Sequence, residues 1–92
     1  AVAANGASVR ARRLLADAAL RSGRHDLAEV QYRALLGMGY QPSRTHVVLG
    51  RLAEMRRAPA EAAGHYRAAL GLEPGLPVAA EALRRLTGSP AR

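Results

Sequence analysis

Apolar residues recur along most of this chain at intervals of three and four positions, which is the spacing of an α-helix rather than of a β-strand. Two such stripes, each containing a tyrosine, are Ala28, Tyr32, Leu35 and Met38, and then Ala62, Tyr66, Ala69 and Leu70. Residues with β-branched side chains, which favour strands, are few and cluster in the segment HVVLG. The pattern therefore predicts an all-helical protein.

Capping and breaking residues divide this pattern into five predicted helices. Ser8 and Ser43 are suitable N-cap residues for the first and third helices, and Gly23 is a suitable stop for the first. Pro59 fits the first turn of the fourth helix, and Gly88 fits the C-cap of the fifth. The predicted helices are about 8–22, 25–39, 44–57, from 59 to a break at 73–77, and 77–87.

The chain also repeats part of its own sequence. The segments 28–39 (AEVQYRALLGMG) and 62–73 (AAGHYRAALGLE), whose equivalent positions are offset by 34, are identical at six of their twelve positions. The register continues outside these segments, because the same offset leads from Leu15 to Leu49 and from Leu49 to Leu83. We interpret the chain as two copies of one helix pair, followed by the first helix of a third copy.

This repeat predicts an all-α fold, an α-solenoid of antiparallel helix pairs with about five helices. The predicted divisions are a disordered lead-in at 1–7, a first repeat at 8–42, a second repeat at 43–75, a capping helix at 76–88 and a tail at 89–92. A capping helix is expected because the end of an array exposes apolar surface.

A helix–turn–helix unit of about 34 residues resembles the tetratricopeptide repeat. In the first copy the motif positions are filled by Leu15, Ala16, Ala19, Gly23, Ala28, Tyr32 and Leu35. In the second copy they are filled by Leu49, Gly50, Ala53, Ala62, Tyr66, Ala69 and Pro74. The resemblance implies that Ala28 and Ala62 lie at buried helix crossings, where close approach leaves room only for small residues. Tyr32 and Tyr66 are expected in the core.

The sequence departs from the repeat motif at several positions. Arg12 and His46 occupy the place of an aromatic residue near the start of the first helix of each copy. Arg57 replaces the glycine of the second turn, and Pro42 comes two positions later than the motif expects. A rival interpretation is the RNA-binding pentatricopeptide repeat, because MGYQPSRTHVVLG resembles its repeat junctions. That family favours a longer spacing and long arrays, whereas two copies occur here.

Composition and charge narrow the possible functions. The formal net charge is +7 and all 14 basic residues are arginine, which favours an acidic partner, either protein or nucleic acid. The absence of cysteine excludes disulfides and cysteine-based metal sites, and no apolar run reaches the ~20 residues of a membrane span. His25, His46 and His65 lack the spacing of a metal-binding helix face, so we expect solvent-exposed or interhelical positions for them. No catalytic motif or phosphate-binding loop occurs, and we expect neither an enzyme nor a bound cofactor or metal.

In tetratricopeptide arrays the first helix of each repeat, the A helix, lines a concave groove, and the resemblance assigns this role to particular residues. The partner-binding residues that it implies are Arg10, Arg13, Asp17, Arg21, Arg44, Val47, Arg51, Glu54, Met55, Glu81 and Arg85. Arginine suits this role because its planar fork binds carboxylates through two hydrogen bonds. The alternative is a solvated face with the intrahelical pairs Asp17–Arg21 and Glu81–Arg85. The carboxylate clamp of chaperone-type repeats is not expected, because the chain has no lysine and a single asparagine, Asn5.

The sequence therefore predicts a protein–protein interaction module that binds a protein or peptide segment of acidic or amphipathic character. Abundant alanine and arginine without lysine suggest a bacterial source, and the resemblance implies a scaffold or adaptor in an assembly for envelope biogenesis, secretion or exopolysaccharide export. The location stays open between the bacterial cytoplasm and periplasm, as does homo-oligomerisation. Two alternatives are a helical repeat that binds nucleic acid through its basic surface, and a structural spacer within a longer array.

Overall fold

Five α-helices make up most of the computed structural model, which describes residues 4–88, with side chains described from residue 9. They are α1 (Ala4–Arg21), α2 (His25–Gly37), α3 (Pro42–Met55), α4 (Pro59–Leu72) and α5 (Pro77–Thr87). Because the described residues contain no strand, the predicted all-α fold class is confirmed. The helices follow the order that the apolar spacing predicts.

The helices form two compact units, divided between Tyr40 and Gln41. In the first unit α1 packs against α2, and in the second unit α4 packs against both α3 and α5. Connections of three residues join α1 to α2 and α3 to α4, so the helices of each pair run antiparallel. In each unit the first helix of the pair is the A helix, which is α1 in the first unit and α3 in the second.

Small residues and tyrosines build the core of each helix pair. Ala28 and Ala62 are fully buried, as the repeat resemblance implies for the helix crossing. Tyr32 and Tyr66 are 7% and 1% exposed, which agrees with their expected place in the core. The chain has no Phe or Trp, so these two rings supply the largest apolar areas at the centre of each pair.

Alanines attach α5 to the second unit. Ala79 and Ala82 are 0% and 5% exposed, and they belong to a buried cluster that also contains Val47 and Tyr66. Leu83 packs against this cluster and is partly buried. Because alanine side chains are short, α5 approaches α4 closely and covers apolar surface of the second unit.

Three helices end in the same hydrogen-bonded turn, the Schellman motif. At the end of α1 the backbone N–H of Arg24 donates to the carbonyl of Ala19, and Gly23 makes the left-handed turn with a φ of +80°. The ends of α2 and α3 repeat this arrangement with Gly39 and Arg57 at the left-handed position. The sequence therefore locates the end of α1 correctly. At the end of α3 the left-handed position, which usually holds glycine, is occupied by Arg57.

The start of α1 differs from the prediction. The helix begins at Ala4, so residues 4–7 are helical rather than the predicted disordered lead-in, and Ser8 lies inside the helix instead of capping it. The segment contains no proline that would stop a helix, and its alanines have the highest helix propensity. The rest of the predicted lead-in, residues 1–3, and the predicted tail at 89–92 lie outside the described residues.

The start of α3 also differs from the prediction. The helix begins at Pro42, and the N-cap position belongs to Gln41 rather than Ser43. Proline suits this place because the N–H that it lacks has no intrahelical partner in the first turn. The hydroxyl of Ser43 instead donates a hydrogen bond to Glu73 Oε1 at 2.7 Å.

Candidate functional site

Each unit presents one long stripe of side chains along its A helix. The members recur at intervals of four, three and four residues, which places them on a single face of an α-helix. They are Arg10, Leu14, Asp17 and Arg21 on α1, and Arg44, Val48, Arg51 and Met55 on α3. The two sets, which we call the A-helix stripes, are related by the repeat offset and are equivalent in the two repeats.

The A-helix stripes combine positive charge with apolar surface. Their exposed arginines are Arg10, Arg21, Arg44 and Arg51. Leu14 and Met55 are 54% and 56% exposed, which is a large exposure for apolar side chains of this size. Asp17 is the single carboxylate among the stripe residues, so the stripes are basic overall.

A buried tyrosine of the second helix of each pair is hydrogen-bonded to the A helix. The hydroxyl of Tyr32 donates to Asp17 Oδ1 at 2.7 Å, and that of Tyr66 donates to Glu54 Oε2 at 2.5 Å. Burial, together with the neighbouring carboxylate, raises the pKa of both tyrosines far above the usual value, so both stay protonated and donate. The two acceptors are not equivalent in the repeat, because Arg51 is the counterpart of Asp17 and Glu54 lies one turn later.

Glu54 also connects α3 to α5. Arg85 donates to both of its carboxylate oxygens, at 2.6 Å to Oε1 and 3.3 Å to Oε2. The Arg85 guanidinium, assisted by the hydroxyl of Tyr66, holds the pKa of Glu54 below its usual value in spite of partial burial. Arg85 thus pairs with a carboxylate of another helix rather than with Glu81, the intrahelical partner that its sequence spacing suggests.

The structure gives the predicted partner-binding residues different surroundings. Val47 is 7% exposed within the buried cluster of the second unit, so it offers little surface to a partner. Asp17 Oδ2 lies 3.9 Å from Nη1 of Arg13, which precedes Asp17 by one turn. This contact takes the place of the predicted intrahelical pair between Asp17 and Arg21. The predicted residues that are exposed and outside the Glu54–Arg85 contact are Arg10, Arg21, Arg44, Arg51, Met55 and Glu81.

Two stripe residues, Leu14 and Val48, are absent from the sequence-based prediction of the partner site. Leu14 is exposed and Val48 is half-buried. Each follows an arginine by four residues, and this spacing is the signal that could have identified them. An apolar residue at helical spacing is interpreted first as core, which explains why they were missed.

A second pair of equivalent positions also connects the two helices of each repeat. In the first unit Arg12 Nη1 donates to Gln31 Oε1 at 3.1 Å. In the second unit the same positions hold His46 and His65, whose Nδ1 atoms lie 3.0 Å apart. These two histidines therefore occupy interhelical positions, one of the two environments expected from the sequence.

Clusters of three or more metal-binding side chains and membrane-spanning helices are both absent from the part of the chain that the structure describes. No group of three or more His, Cys, Asp or Glu side chains converges there in a way that could hold a metal ion. None of the helices formed by residues 4–88 has the length and apolar character needed to cross a membrane.

Comparison with protein families identifies a match. A family model described as a tetratricopeptide repeat matches the chain over residues 1–39 and again over residues 14–77. These residues contain α1 to α4, and therefore both helix pairs. No curated protein and no solved structure matches the chain significantly.

Proposed function

Because the chain belongs to the tetratricopeptide repeat family, whose repeats generally mediate protein–protein interactions and are typically non-catalytic, we propose that it binds an acidic, amphipathic peptide segment through its A-helix stripes. The observation that carries this proposal is the equivalence of the two stripes. Both stripes begin with an exposed arginine and carry an apolar side chain one turn later, at Arg10 and Leu14 on α1 and at Arg44 and Val48 on α3.

The chemistry of the stripes defines the partner. Exposed guanidinium groups such as those of Arg10 and Arg44 bind carboxylates through two parallel hydrogen bonds. Leu14 and Met55 offer apolar surface beside them, which fits leucine-like side chains of the same peptide. A peptide that carries acidic and leucine-like side chains along one face can contact both the arginines and the apolar residues of the stripes. A purely acidic peptide would contact only the arginines.

Internal contacts reduce the negative charge on and beside the A-helix stripes. Glu54, the carboxylate closest in sequence to Met55, is neutralised by Arg85 and hydrogen-bonded by Tyr66. Asp17 accepts a hydrogen bond from the hydroxyl of Tyr32, so its carboxylate also has a partner within its own unit. These contacts weaken the repulsion that an acidic peptide would otherwise meet at the stripes.

The proposal extends to the setting of the protein. A domain that binds peptides without catalysis suits a scaffold or adaptor in a larger assembly. The support for a bacterial assembly is compositional, namely abundant alanine and arginine with no lysine. Envelope biogenesis, secretion and exopolysaccharide machinery are the settings that we propose to examine first.

Two charge-reversal variants with the same net charge test the proposal. The stripe variant carries Arg10→Glu, Arg44→Glu and Arg51→Glu. The control carries Arg24→Glu, Arg67→Glu and Arg84→Glu, which are exposed arginines outside the stripes. Each reversal replaces a positive charge with a negative one, so three of them lower the net charge by six units and both variants go from +7 to +1. Both are expected to fold, because exposed charges contribute only ~0–1 kcal/mol to stability.

Peptides are selected from a random displayed library with the wild-type protein, and their affinities for both variants are measured by fluorescence anisotropy. We expect selected peptides to combine Asp or Glu with leucine-like residues at helical spacing. Binding should weaken about tenfold or more in the stripe variant and change little in the control. Equal weakening in both variants would assign the binding to overall charge, and failure to select any peptide would favour the structural-spacer alternative.

The net charge of +7 favours nucleic acid as the second candidate partner. Binding to phosphates depends on the total number of cationic contacts and weakens steeply with salt. Anisotropy with a single-stranded RNA at about 50 and 200 mM salt distinguishes the candidates. Tight RNA binding that both variants lose equally would support this second function over peptide binding.

A further inference from the structure

Two histidines face each other between α3 and α4. The Nδ1 atoms of His46 and His65 lie 3.0 Å apart, and the ring centroids are separated by 5.3 Å with an angle of 40° between the planes. Both side chains are half-buried, so the pair is held by its helices yet reaches solvent. At this distance one imidazole donates its Nδ1–H to the Nδ1 of the other.

In the first repeat the two equivalent positions join the helices without metal-binding groups. There the equivalent side chains are Arg12 and Gln31, which form a single hydrogen bond. A guanidinium does not ligate metals, and an amide oxygen is a poor ligand for transition metals. The second repeat replaces both groups with imidazoles, the side chain that Cu²⁺, Ni²⁺ and Zn²⁺ prefer among nitrogen ligands.

The separation of the two nitrogens suits a shared metal ion. Two ligand atoms held ~2.0–2.1 Å from one ion at an angle of roughly 90–110° lie about 2.8–3.4 Å apart. The Nδ1 separation of 3.0 Å falls in this range. Metal binding requires both rings to reorient from the hydrogen-bonded arrangement, so that both Nδ1 lone pairs point at the ion instead of sharing a proton.

We propose that His46 and His65 form a binding site for one divalent transition-metal ion, which clips α3 to α4 and leaves its other coordination positions to water. When the metal binds, the ring that carries the Nδ1 proton releases it to solvent and takes up a proton from solvent at Nε2, so that both imidazoles stay neutral and both Nδ1 lone pairs are available to the ion. The site does not depend on the peptide-binding function proposed above.

Two consequences follow from a site with two protein ligands. Affinity follows the intrinsic preference of imidazole, so Cu²⁺ should bind more tightly than Ni²⁺ or Zn²⁺. A metal that binds the folded unit but not the unfolded chain also raises the thermal midpoint, and the rise grows with metal concentration.

The test is titration of the whole chain with CuCl₂, NiCl₂ and ZnCl₂ in a non-chelating buffer at neutral pH, followed by calorimetry and thermal unfolding. His25→Gln is the matched control, since His25 begins α2 and lies outside the pair. We expect one ion per chain for the wild type and for His25→Gln. Binding should weaken about tenfold or more in His46→Gln and in His65→Gln.

A double variant separates metal binding from the structural role of the pair. Replacing His46→Arg together with His65→Gln installs the hydrogen-bonded pair of the first repeat without metal ligands. This variant should keep its helical circular dichroism signal and lose both the tight binding and the metal-induced rise of the midpoint. The Cu²⁺ complex of the wild type should show electron paramagnetic resonance couplings to imidazole nitrogen. Unchanged affinity in the double variant, or no binding by the wild type in excess metal, would overturn the proposal.

Discussion

Gly50 and Ala16 occupy the same position of the two repeats, but the space around Gly50 has no room for a methyl group. A Cβ added to Gly50 would lie 2.8 Å from both Cε1 and Cζ of the Tyr66 ring. That ring is 1% exposed and its hydroxyl is bound by Glu54, so it cannot move aside easily. The second repeat therefore needs glycine where the first accepts alanine.

We predict that Gly50→Ala destabilises the protein although alanine is the better helix former. Overpacking against the Tyr66 ring lowers the free energy of unfolding by about 1–3 kcal/mol, while the higher helix propensity of alanine raises it by up to about 1 kcal/mol. The free energy of unfolding, measured by urea denaturation, should fall by about 1–2 kcal/mol. Gly64→Ala is the control, because Gly64 lies within α4 with open space around its Cα and should become slightly more stable. Equal stabilisation in both variants would mean that Tyr66 yields readily.

Arg57 gives the second residue-scale prediction, because it holds a left-handed φ of +62° where the first repeat has Gly23. A side chain in this conformation costs about 1–2 kcal/mol, while glycine adds about 0.4–1 kcal/mol of unfolded-state entropy. We therefore expect Arg57→Gly to raise the free energy of unfolding by about 0.5–1 kcal/mol in urea denaturation. Arg57→Ala removes the same charge but keeps the strain, so it should bring no such gain.

At the scale of the elements, both apolar packing and an ion pair attach α5 to its neighbours. Ala79 and Ala82 are buried in the cluster of the second unit. Arg85 reaches Glu54 on α3, and the same carboxylate accepts the hydroxyl of Tyr66 on α4. One carboxylate thus touches all three helices of the unit, which makes the charge of Glu54 important for their packing.

This arrangement predicts a pH dependence of stability. The pKa of Glu54 is lowered in the folded state, mainly by Arg85. The contribution of the Glu54 charge to the free energy of unfolding is therefore fully present above the unfolded pKa of about 4.5. The contribution is lost as the pH falls below that value and the carboxylate takes up a proton. Urea denaturation from neutral pH to about pH 3 should show a smaller loss of stability for Glu54→Gln than for the wild type. Arg85→Gln should reduce the loss as well, and identical pH profiles for all three proteins would contradict this assignment.

For the whole molecule, the distribution of charge matters more than its sum. Of the seven acidic side chains, five take part in hydrogen bonds or ion pairs within their own unit, namely Asp17, Glu29, Glu54, Glu61 and Glu73. With 14 arginines in the chain, this leaves a surplus of positive charge at the surface. Such a surplus attracts acidic partners toward the protein, and added salt screens this attraction. On the A-helix stripes this charge lies beside exposed apolar side chains such as Leu14 and Met55.

Fold class and repeat organisation could be predicted from the sequence, because both depend on patterns within single elements. Helical spacing of apolar residues identifies α1 to α5, and the constant offset between the two copies identifies the repeated pair without any coordinates. The burial of Ala28, Ala62, Tyr32 and Tyr66 follows from the same register. Helix ends that rest on glycine, such as that at Gly23, were found correctly. The starts at Ala4 and Pro42 were not, because several residues near them can begin a helix.

The pairing of polar side chains between different helices was decided by the tertiary structure alone. Sequence spacing pairs Arg85 with Glu81, but the packing of α5 brings Arg85 to Glu54, 31 residues away. His46 and His65 lie on different helices, so no spacing along one helix could show that they meet. Helical periodicity gives the face on which a residue lies only to within part of a turn, and a contact of about 3 Å depends on the rotation and separation of two packed helices. The sequence therefore determined which surfaces exist, and the packing of those surfaces determined which polar atoms touch.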